Sequence, residues 1–155
     1  MTVRIRRGVV ADASQACTVL RRSITELCYL DHGGDEAYLS KWLSNKTTEN
    51  VSRWILQSHF FVAEDAGRIV GVAAMSDSGK ITLNYVDPDF RFRGVSKALV
   101  LSMEEQARTL GLVECCLESS KTALRFYQEL GYANSEQSCV PSLTASPATV
   151  LSKRL

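Results

Sequence analysis

The stretch YVDPDFRFRGVSKAL, from Tyr85 to Leu99, decides the fold. It passes from an alternating strand through a short polar turn into an amphipathic helix. The first turn of that helix offers free backbone N–H groups, and Gly94 carries no side chain to block a ligand. The junction is therefore suited to bind a phosphate group. The helix has apolar residues along one face, at Val95, Ala98, Leu99, Met103, Ala107 and Leu110.

Three basic side chains flank this junction, and their spacing fits a diphosphate: Arg91, Arg93 and Lys97. A solvated basic edge at an ordinary helix start explains the same spacing equally well. The stretch has neither the Lys-[Ser/Thr] ending of a nucleoside-triphosphate loop nor the pattern Gly-x-Gly-x-x-Gly. An ATP or dinucleotide site is therefore disfavoured.

The composition favours one globular domain over residues 1–155, with 45% hydrophobic and 23% charged residues. Eighteen basic and seventeen acidic residues leave a formal charge of +1, so no broad field attracts nucleic acid or an anionic membrane. The first residues, Met1 to Arg7, lack the apolar core of a secretory signal, and no apolar run is long enough to cross a bilayer. We expect a cytoplasmic protein whose partners are neither nucleic acid nor membrane.

The cysteines do not suggest a metal site. They are five in number and fit no metal-ligand spacing, at Cys17, Cys28, Cys115, Cys116 and Cys139. We expect them to be reduced and the protein to bind no metal.

Periodicity and turn residues predict the order β-α-α-β-β-β-α-β-α-β-β. This order indicates an α/β (α+β) fold with a mixed, mostly antiparallel sheet and helices on both faces. Strands are predicted at 3–6, 60–64, 69–76, 81–86, 112–117, from 132 and at 149–154. The first helix is predicted to run from about Asp12, its N-cap, towards Leu30, and shorter helices are predicted at 36–43, 51–57 and 123–130. A longer helix is predicted to begin at residue 95 and to end before Gly111. Pro141 and Pro147 predict an irregular connection.

Two motifs resemble those of one family. Arg91-Phe92-Arg93-Gly94-Val95-Ser96 resembles Arg/Gln-x-x-Gly-x-Gly/Ala, the pyrophosphate loop of the GNAT superfamily of acyl-CoA-dependent N-acyltransferases. Downstream, Ser120-x-x-Ala123-x-x-Phe126-Tyr127-x-x-x-Gly131-Tyr132 is similar to the family's Asn-x-x-Ala-x-x-Phe-Tyr-x-x-x-Gly-Phe/Tyr helix. Ser96 and Ser120 depart from the usual residues. The motifs agree in order and separation, and the order of strands and helices also matches.

The resemblance implies acetyl-CoA as cosubstrate. In the family, the pantetheine arm lies between two splayed strands, and here the Val86 N–H would polarise the thioester carbonyl. The implied cofactor-binding residues are Tyr85, Val86, Arg91, Arg93, Gly94, Val95, Ser96, Lys97, Ser120, Ala123, Phe126 and Tyr127.

The implied reaction is direct transfer of an acetyl group to a primary amine of a small molecule or peptide. Tyr127 matches the family's tyrosine and would protonate the departing thiolate, although it would also pack well beside the cofactor. Some members carry a Glu base on the strand before the loop, where this chain has Thr82 and Asn84. That difference points to Glu118 or His32, while Glu118 is also explained as a solvated carboxylate at a strand end.

An acidic loop is the candidate acceptor site. Asp31 and His32 are predicted to bind the substrate amine, although a polar loop with helix caps explains them equally well. Trp42 and Trp54 are expected to pack the first helices. The alternative function is a catalytically silent CoA-binding regulatory module, and the resemblance is compatible with a homodimer.

Overall fold

The computed structural model describes residues 3–135 and 149–155, which form a mixed sheet with helices on both faces, as predicted. The sheet order is β1-β2-β3-β4-β5-β7-β6, and every neighbouring pair is antiparallel except β4 and β5, which are parallel. The strands are β1 (Arg4–Arg7), β2 (His59–Asp65), β3 (Arg68–Met75), β4 (Lys80–Val86), β5 (Glu114–Ser119), β6 (Ala133–Asn134) and β7 (Thr149–Arg154).

The helices, α1 (Ala13–Leu27), α2 (Tyr29–His32), α3 (Glu36–Leu43), α4 (Thr48–Gln57), α5 (Val95–Thr109) and α6 (Leu124–Glu129), pack over two hydrophobic cores. One core lies under α1 and α4 and includes Leu20, Val51 and Phe60, all almost fully buried. The other lies under α5 and α6 and includes Leu99, Met103 and Leu117.

Close packing of α5 on β3 positions the start of this helix. A Cβ atom at Gly71 would meet Val95 Cγ1 at 2.7 Å and Leu99 Cδ1 at 3.0 Å. Any side chain at Gly71 would therefore push the helix away from the sheet. The glycine brings the first turn of α5 directly beside the end of β4.

The first predicted helix was wrong in two details. It ends at Leu27, and a separate short helix, α2, follows, because Cys28 leaves the helical conformation with φ −96° and ψ 33°. Asp12 does not cap α1 with its side chain. Its carboxylate instead pairs with Arg6 at 2.8 Å and accepts the Val9 N–H at 2.8 Å.

Two further elements begin more than one residue away from the predicted position. Helix α4 begins at Thr48 because Thr47 caps it, with its hydroxyl accepting the Asn50 N–H at 3.1 Å. Strand β5 begins at Glu114 because Leu112 still belongs to the end of α5, where its N–H donates to the Ala107 carbonyl at 3.0 Å. The predicted connection at Pro141 and Pro147 lies outside the described residues.

The cysteines differ among themselves. Cys17, Cys28 and Cys115 are free and buried, whereas Cys116 is disulfide-bonded. The expectation of reduced cysteines is therefore wrong at Cys116, and Cys139 lies outside the described residues. In the part of the chain that the structure describes, no three His, Cys, Asp or Glu side chains cluster to hold a metal ion, and no helix is long and apolar enough to cross a bilayer.

Candidate active site

The gap between β4 and β5 is the centre of the candidate site. The two parallel strands pair only at Lys80 with Cys116 and at Ile81 with Leu117. Beyond these pairs, β4 remains bound to β3 and β5 remains bound to β7. The strands therefore diverge at their C-terminal ends and leave backbone groups facing the gap.

The direction of these backbone groups follows from one hydrogen bond. The Asp87 N–H donates to the Val70 carbonyl at 2.8 Å, so Asp87 faces β3. Backbone groups alternate in direction along an antiparallel strand, and the register pairs Val86 with Gly71. The N–H groups of Asn84 and Val86 are consequently directed away from β3, into the gap.

A buried carboxylate holds the turn that leaves β4. Asp87 is 3% exposed and accepts hydrogen bonds from Arg68 at 2.8 Å and from Arg22 at 3.2 Å. It also accepts the Asp89 N–H at 2.9 Å, which caps the short 3-10 turn over Pro88–Phe90. Two arginines, one on α1 and one on β3, thus fix where the loop to α5 begins.

The loop itself opens onto the solvent. Gly94 precedes α5 with φ +77°, no side chain caps the helix, and a Cβ atom at Gly94 would meet nothing within 4 Å. Phe92 has φ +63° and is 89% exposed, with the Arg91 guanidinium 4.5 Å from its ring centre. The first N–H groups of this 15-residue helix, and the positive end of its dipole, therefore face an open space.

A cavity of about 490 Å³ follows this loop into the gap. It is lined by every predicted cofactor-binding residue except Arg93, whose guanidinium lies 5.0 Å from the Phe90 ring centre. The Ser120 hydroxyl, which lines the cavity, accepts the Ala123 N–H at 3.2 Å and so holds the start of α6. We call this space the donor cavity.

A second cavity, of about 510 Å³, lies on the side of α3 and β7. Its lining includes Tyr38 and Trp42, whose rings meet edge to face at 6.1 Å, together with Glu118 and Asp31. We call it the acceptor cavity. The two cavities share the residues Asn84, Tyr85, Ser120, Ala123 and Tyr127.

Tyr127 lies where the two cavities meet. It is 6% exposed, and burial raises its pKa to about 12, so the phenol keeps its proton at neutral pH. Asn84 Nδ2 donates to the Tyr127 hydroxyl oxygen at 3.2 Å. Because the oxygen accepts this bond, the hydroxyl proton remains available for another acceptor.

The other predicted polar residues occupy different positions. Glu118 lines the acceptor cavity, with the Lys80 ammonium 3.4 Å away. The Asp31 carboxylate accepts the N–H groups of Lys121 at 2.7 Å and Thr122 at 3.0 Å, and the Thr122 hydroxyl as well. Asp31 thus ties α2 to the loop between β5 and α6, and its oxygens already have partners.

His32 is not brought to either cavity. It is 5% exposed, its Nδ1 accepts the Gly34 N–H at 3.0 Å, and its Nε2 lies 3.1 Å from the Thr25 carbonyl. This pattern places the proton on Nε2, and both ring nitrogens hold the turn after α2. The structure therefore gives His32 a local role.

Some residues of the site were not predicted. Trp42, expected to pack helices, lines the acceptor cavity with Tyr38. Asn84 was considered only as a poor base, yet it contacts Tyr127. Asn84 follows the polar positions of its alternating strand, as Thr82 does, so the sequence carries no signal for its contact with a residue 43 positions away.

Comparison with known proteins identifies the family. Residues 29–142 match the profile of the acetyltransferase (GNAT) domain, which is well over half of the chain. The chain therefore belongs to the GNAT acetyltransferase family.

Two characterised relatives match parts of the chain. A glucosamine 6-phosphate N-acetyltransferase from Trypanosoma brucei brucei is 33% identical over 87 residues, covering 50% of this chain and 59% of that protein. An amino-acid acetyltransferase from Pseudomonas syringae pv. syringae is 31% identical over 109 residues, covering 67% of this chain and 24% of that protein. The chain therefore spans less than two thirds of either relative.

Solved structures share the fold. The PaiA N-acetyltransferase from Thermoplasma acidophilum, in complex with coenzyme A, superposes with a TM-score of 0.82 at 18% identity over all of both chains. A GCN5-related N-acetyltransferase from Rhodopseudomonas palustris gives 0.87 at 22% identity over 100% of this chain and 97% of the other.

Proposed function

We propose that this protein transfers an acetyl group from acetyl-CoA directly to a primary amine of a small molecule or peptide. The observation that carries the proposal is that two cavities of similar size meet at Tyr127, in the gap between β4 and β5. One cavity contains the features expected for a nucleotide-bearing thioester. The other contains groups suited to an amine.

The donor cavity fits acetyl-CoA. The N–H groups at the start of α5, with Arg91 and Lys97 beside them, would bind the diphosphate. The pantetheine arm would follow the gap between the strands, and the Val86 N–H would bond to the thioester carbonyl oxygen. Such a donor matters because negative charge develops on that oxygen in the tetrahedral intermediate. The coenzyme A complex of the Thermoplasma neighbour supports this choice of donor.

The acceptor cavity fits a cationic amine. Aromatic faces attract cations, and the Tyr38–Trp42 pair lies in the same cavity as the Glu118 carboxylate. We propose Glu118 as the base that removes the proton from the bound ammonium, because it is a carboxylate of this cavity whose oxygens are not held by backbone N–H groups. Its oxygen Oε1 lies 3.4 Å from the Lys80 ammonium.

The transfer step involves two bonds and two protons. The neutral amine nitrogen attacks the thioester carbon, a C–N bond forms, and the C–S bond breaks. Tyr127 gives its proton to the leaving sulfur, and the surplus proton on nitrogen returns to the tyrosinate through solvent. Glu118 releases the proton of the ammonium to solvent, so the net products are the acetylated amide, free CoA and one proton, and no acyl-enzyme is formed.

The test measures thiol release from acetyl-CoA with a panel of amines: glucosamine 6-phosphate, L-glutamate, L-lysine, spermidine and a peptide with a free amino terminus. Tyr127→Phe is expected to lower kcat about a hundredfold, because a general acid contributes at least this much. Acetyl-CoA affinity, measured by calorimetry, should change less than twofold. Unchanged turnover would reject the role of Tyr127, and stabilisation by CoA without turnover of any amine would favour a silent CoA-binding module.

The pH profile provides a second readout of the same step. Because the pKa of Tyr127 is about 12, its acidic form persists throughout pH 6 to 10. The value of kcat/KM for the amine should rise over this range as the amine loses its proton, with no falling limb. A falling limb below pH 10 that disappears in Tyr127→Phe would contradict the shielded environment of this phenol.

A further inference from the structure

The amide of Asn84 carries an unusual feature. Its Oδ1 is buried and has no hydrogen-bond partner, and it is the one such side-chain atom within residues 3–135 and 149–155. Buried polar atoms are nearly always paired, because leaving one unpaired costs its full desolvation. This oxygen lies on a residue that lines both cavities, so a ligand group is the natural candidate for its partner.

The nitrogen of the same amide already has a hydrogen-bond partner. Asn84 Nδ2 donates to the Tyr127 hydroxyl, which fixes the amide plane and leaves Oδ1 as an acceptor only. Its missing partner must therefore be a donor. The thioester carbonyl and sulfur of acetyl-CoA are acceptors and cannot fill this role. The attacking amine carries N–H groups, and so do the amides of the pantetheine arm.

We propose that Asn84 orients the attacking amine, with Oδ1 accepting one of its N–H groups. This inference rests on the proposed acetyl transfer. A bond made through N–H leaves the nitrogen lone pair free to attack the thioester carbon. The same amide holds the Tyr127 oxygen and keeps its proton free for the sulfur, so one side chain positions both the nucleophile and the acid.

The absence of charge on this side chain is part of the inference. A carboxylate at position 84 would favour the ammonium form of the substrate, which has no lone pair and cannot attack. A neutral amide bonds to the amine without raising its pKa. The proposal therefore distinguishes Asn84 from Glu118, which removes the proton.

Two substitutions separate the functions of the amide. Asn84→Leu removes both the donor Nδ2 and the acceptor Oδ1, while Asn84→Asp keeps an acceptor and adds a negative charge. Asn50→Leu, on α4 and outside both cavities, is the matched control and should behave as wild type. Each variant is assayed with the panel amine that wild type acetylates fastest, and acetyl-CoA affinity is measured by calorimetry.

For Asn84→Leu we expect kcat/KM for the amine to fall at least about tenfold, the equivalent of one lost hydrogen bond, with acetyl-CoA affinity within about twofold. For Asn84→Asp we expect the rising limb of the profile of kcat against pH, which reports groups in the enzyme–substrate complex, to move about one unit higher, because the carboxylate raises the pKa of the bound amine. A purely structural role would not produce this displacement of the pH profile.

Three results would overturn the inference. The first is wild-type kcat/KM in an Asn84→Leu protein that is folded, as judged by circular dichroism. The second is a profile of kcat against pH that does not move in Asn84→Asp. A loss of acetyl-CoA affinity in Asn84→Leu as large as the loss of turnover would assign Oδ1 to a pantetheine amide. If wild type releases no thiol with any amine, the proposed function itself fails, and this is established before any variant is made.

Discussion

Phe92 combines two properties that rarely occur together in a bulky residue. Its φ of +63° lies in the left-handed region, and its side chain is 89% exposed. The side chain therefore gains little from packing while its backbone is strained. Strain of this kind concentrates at binding sites, and Phe92 lines the donor cavity beside Gly94.

Substituting Phe92 provides a test of that strain. Phe92→Ala removes the ring and keeps the strained backbone, whereas Phe92→Gly relieves it. We expect the glycine variant to be the more stable by about 1 kcal/mol, since a left-handed conformation costs an L-residue roughly this amount. Denaturant unfolding of the two variants measures the difference, and equal stabilities would show that the loop is unstrained at this residue.

Two short elements are held together by a single carboxylate. Asp31, on α2, accepts hydrogen bonds from the loop that connects β5 to α6. This loop carries Ser120, which lines both cavities. Asp31 therefore connects α2 directly to a loop that lines both cavities.

Asp31→Ala is expected to lower the free energy of unfolding by about 2 kcal/mol, because two backbone N–H groups lose a charged acceptor. Hydrogen exchange at the Lys121 and Thr122 amides should accelerate. Asp35→Ala is the matched control: Asp35 caps α3 by accepting the Tyr38 N–H at 3.1 Å, so its loss should cost about 1 kcal/mol. Exchange at Lys121 and Thr122 should not change in that control, and unchanged exchange in Asp31→Ala would refute the link.

The sequence was most informative where one element determines its neighbour. The junction from β4 through Gly94 into α5 was predictable, because strand alternation, glycine and helix periodicity all act within fifteen residues. The bounds of α3 and β7 were also predicted correctly. Local signals were sufficient in these places.

Contacts between distant residues were not predictable in the same way. Asp31 is predicted to bind the substrate and does line the acceptor cavity, but its hydrogen-bond partners, 90 and 91 residues further along the chain, were not predicted. A carboxylate that caps a remote loop has the same sequence signature as one that binds a ligand. The break at Cys28 was also missed, since no glycine or proline marks it.

For the whole molecule, buried weak acids set the response to alkaline pH. Burial raises the pKa of Cys28 to about 12 from 9.0, that of Cys115 to about 11 from 9.0, and that of Tyr127 to about 12 from 10.0. The unfolded chain therefore loses these protons at lower pH than the folded chain does. Their contribution to stability is complete below pH 9 and is lost as the pH rises towards 12.

Acidic pH acts through different groups. Arg6 lowers the pKa of Asp12, and Arg4 with Arg6 lowers that of Glu64. Their contribution is present above the ordinary carboxyl range near pH 4 and is lost as the pH falls through it. Unfolding midpoints in urea should thus form a plateau between these limits, and Cys115→Ala should make the alkaline decline less steep. A decline beginning well below pH 9 would contradict this account.

The meeting of two cavities at Tyr127 has a consequence for the order of events during turnover. In the proposed reaction, acetyl-CoA and the amine would occupy two different cavities that meet at Tyr127, so neither has to leave before the other binds. Free CoA would then depart from the donor cavity and the acetylated amide from the acceptor cavity, in either order. Accumulated CoA would compete with acetyl-CoA for its cavity and leave amine binding unaffected.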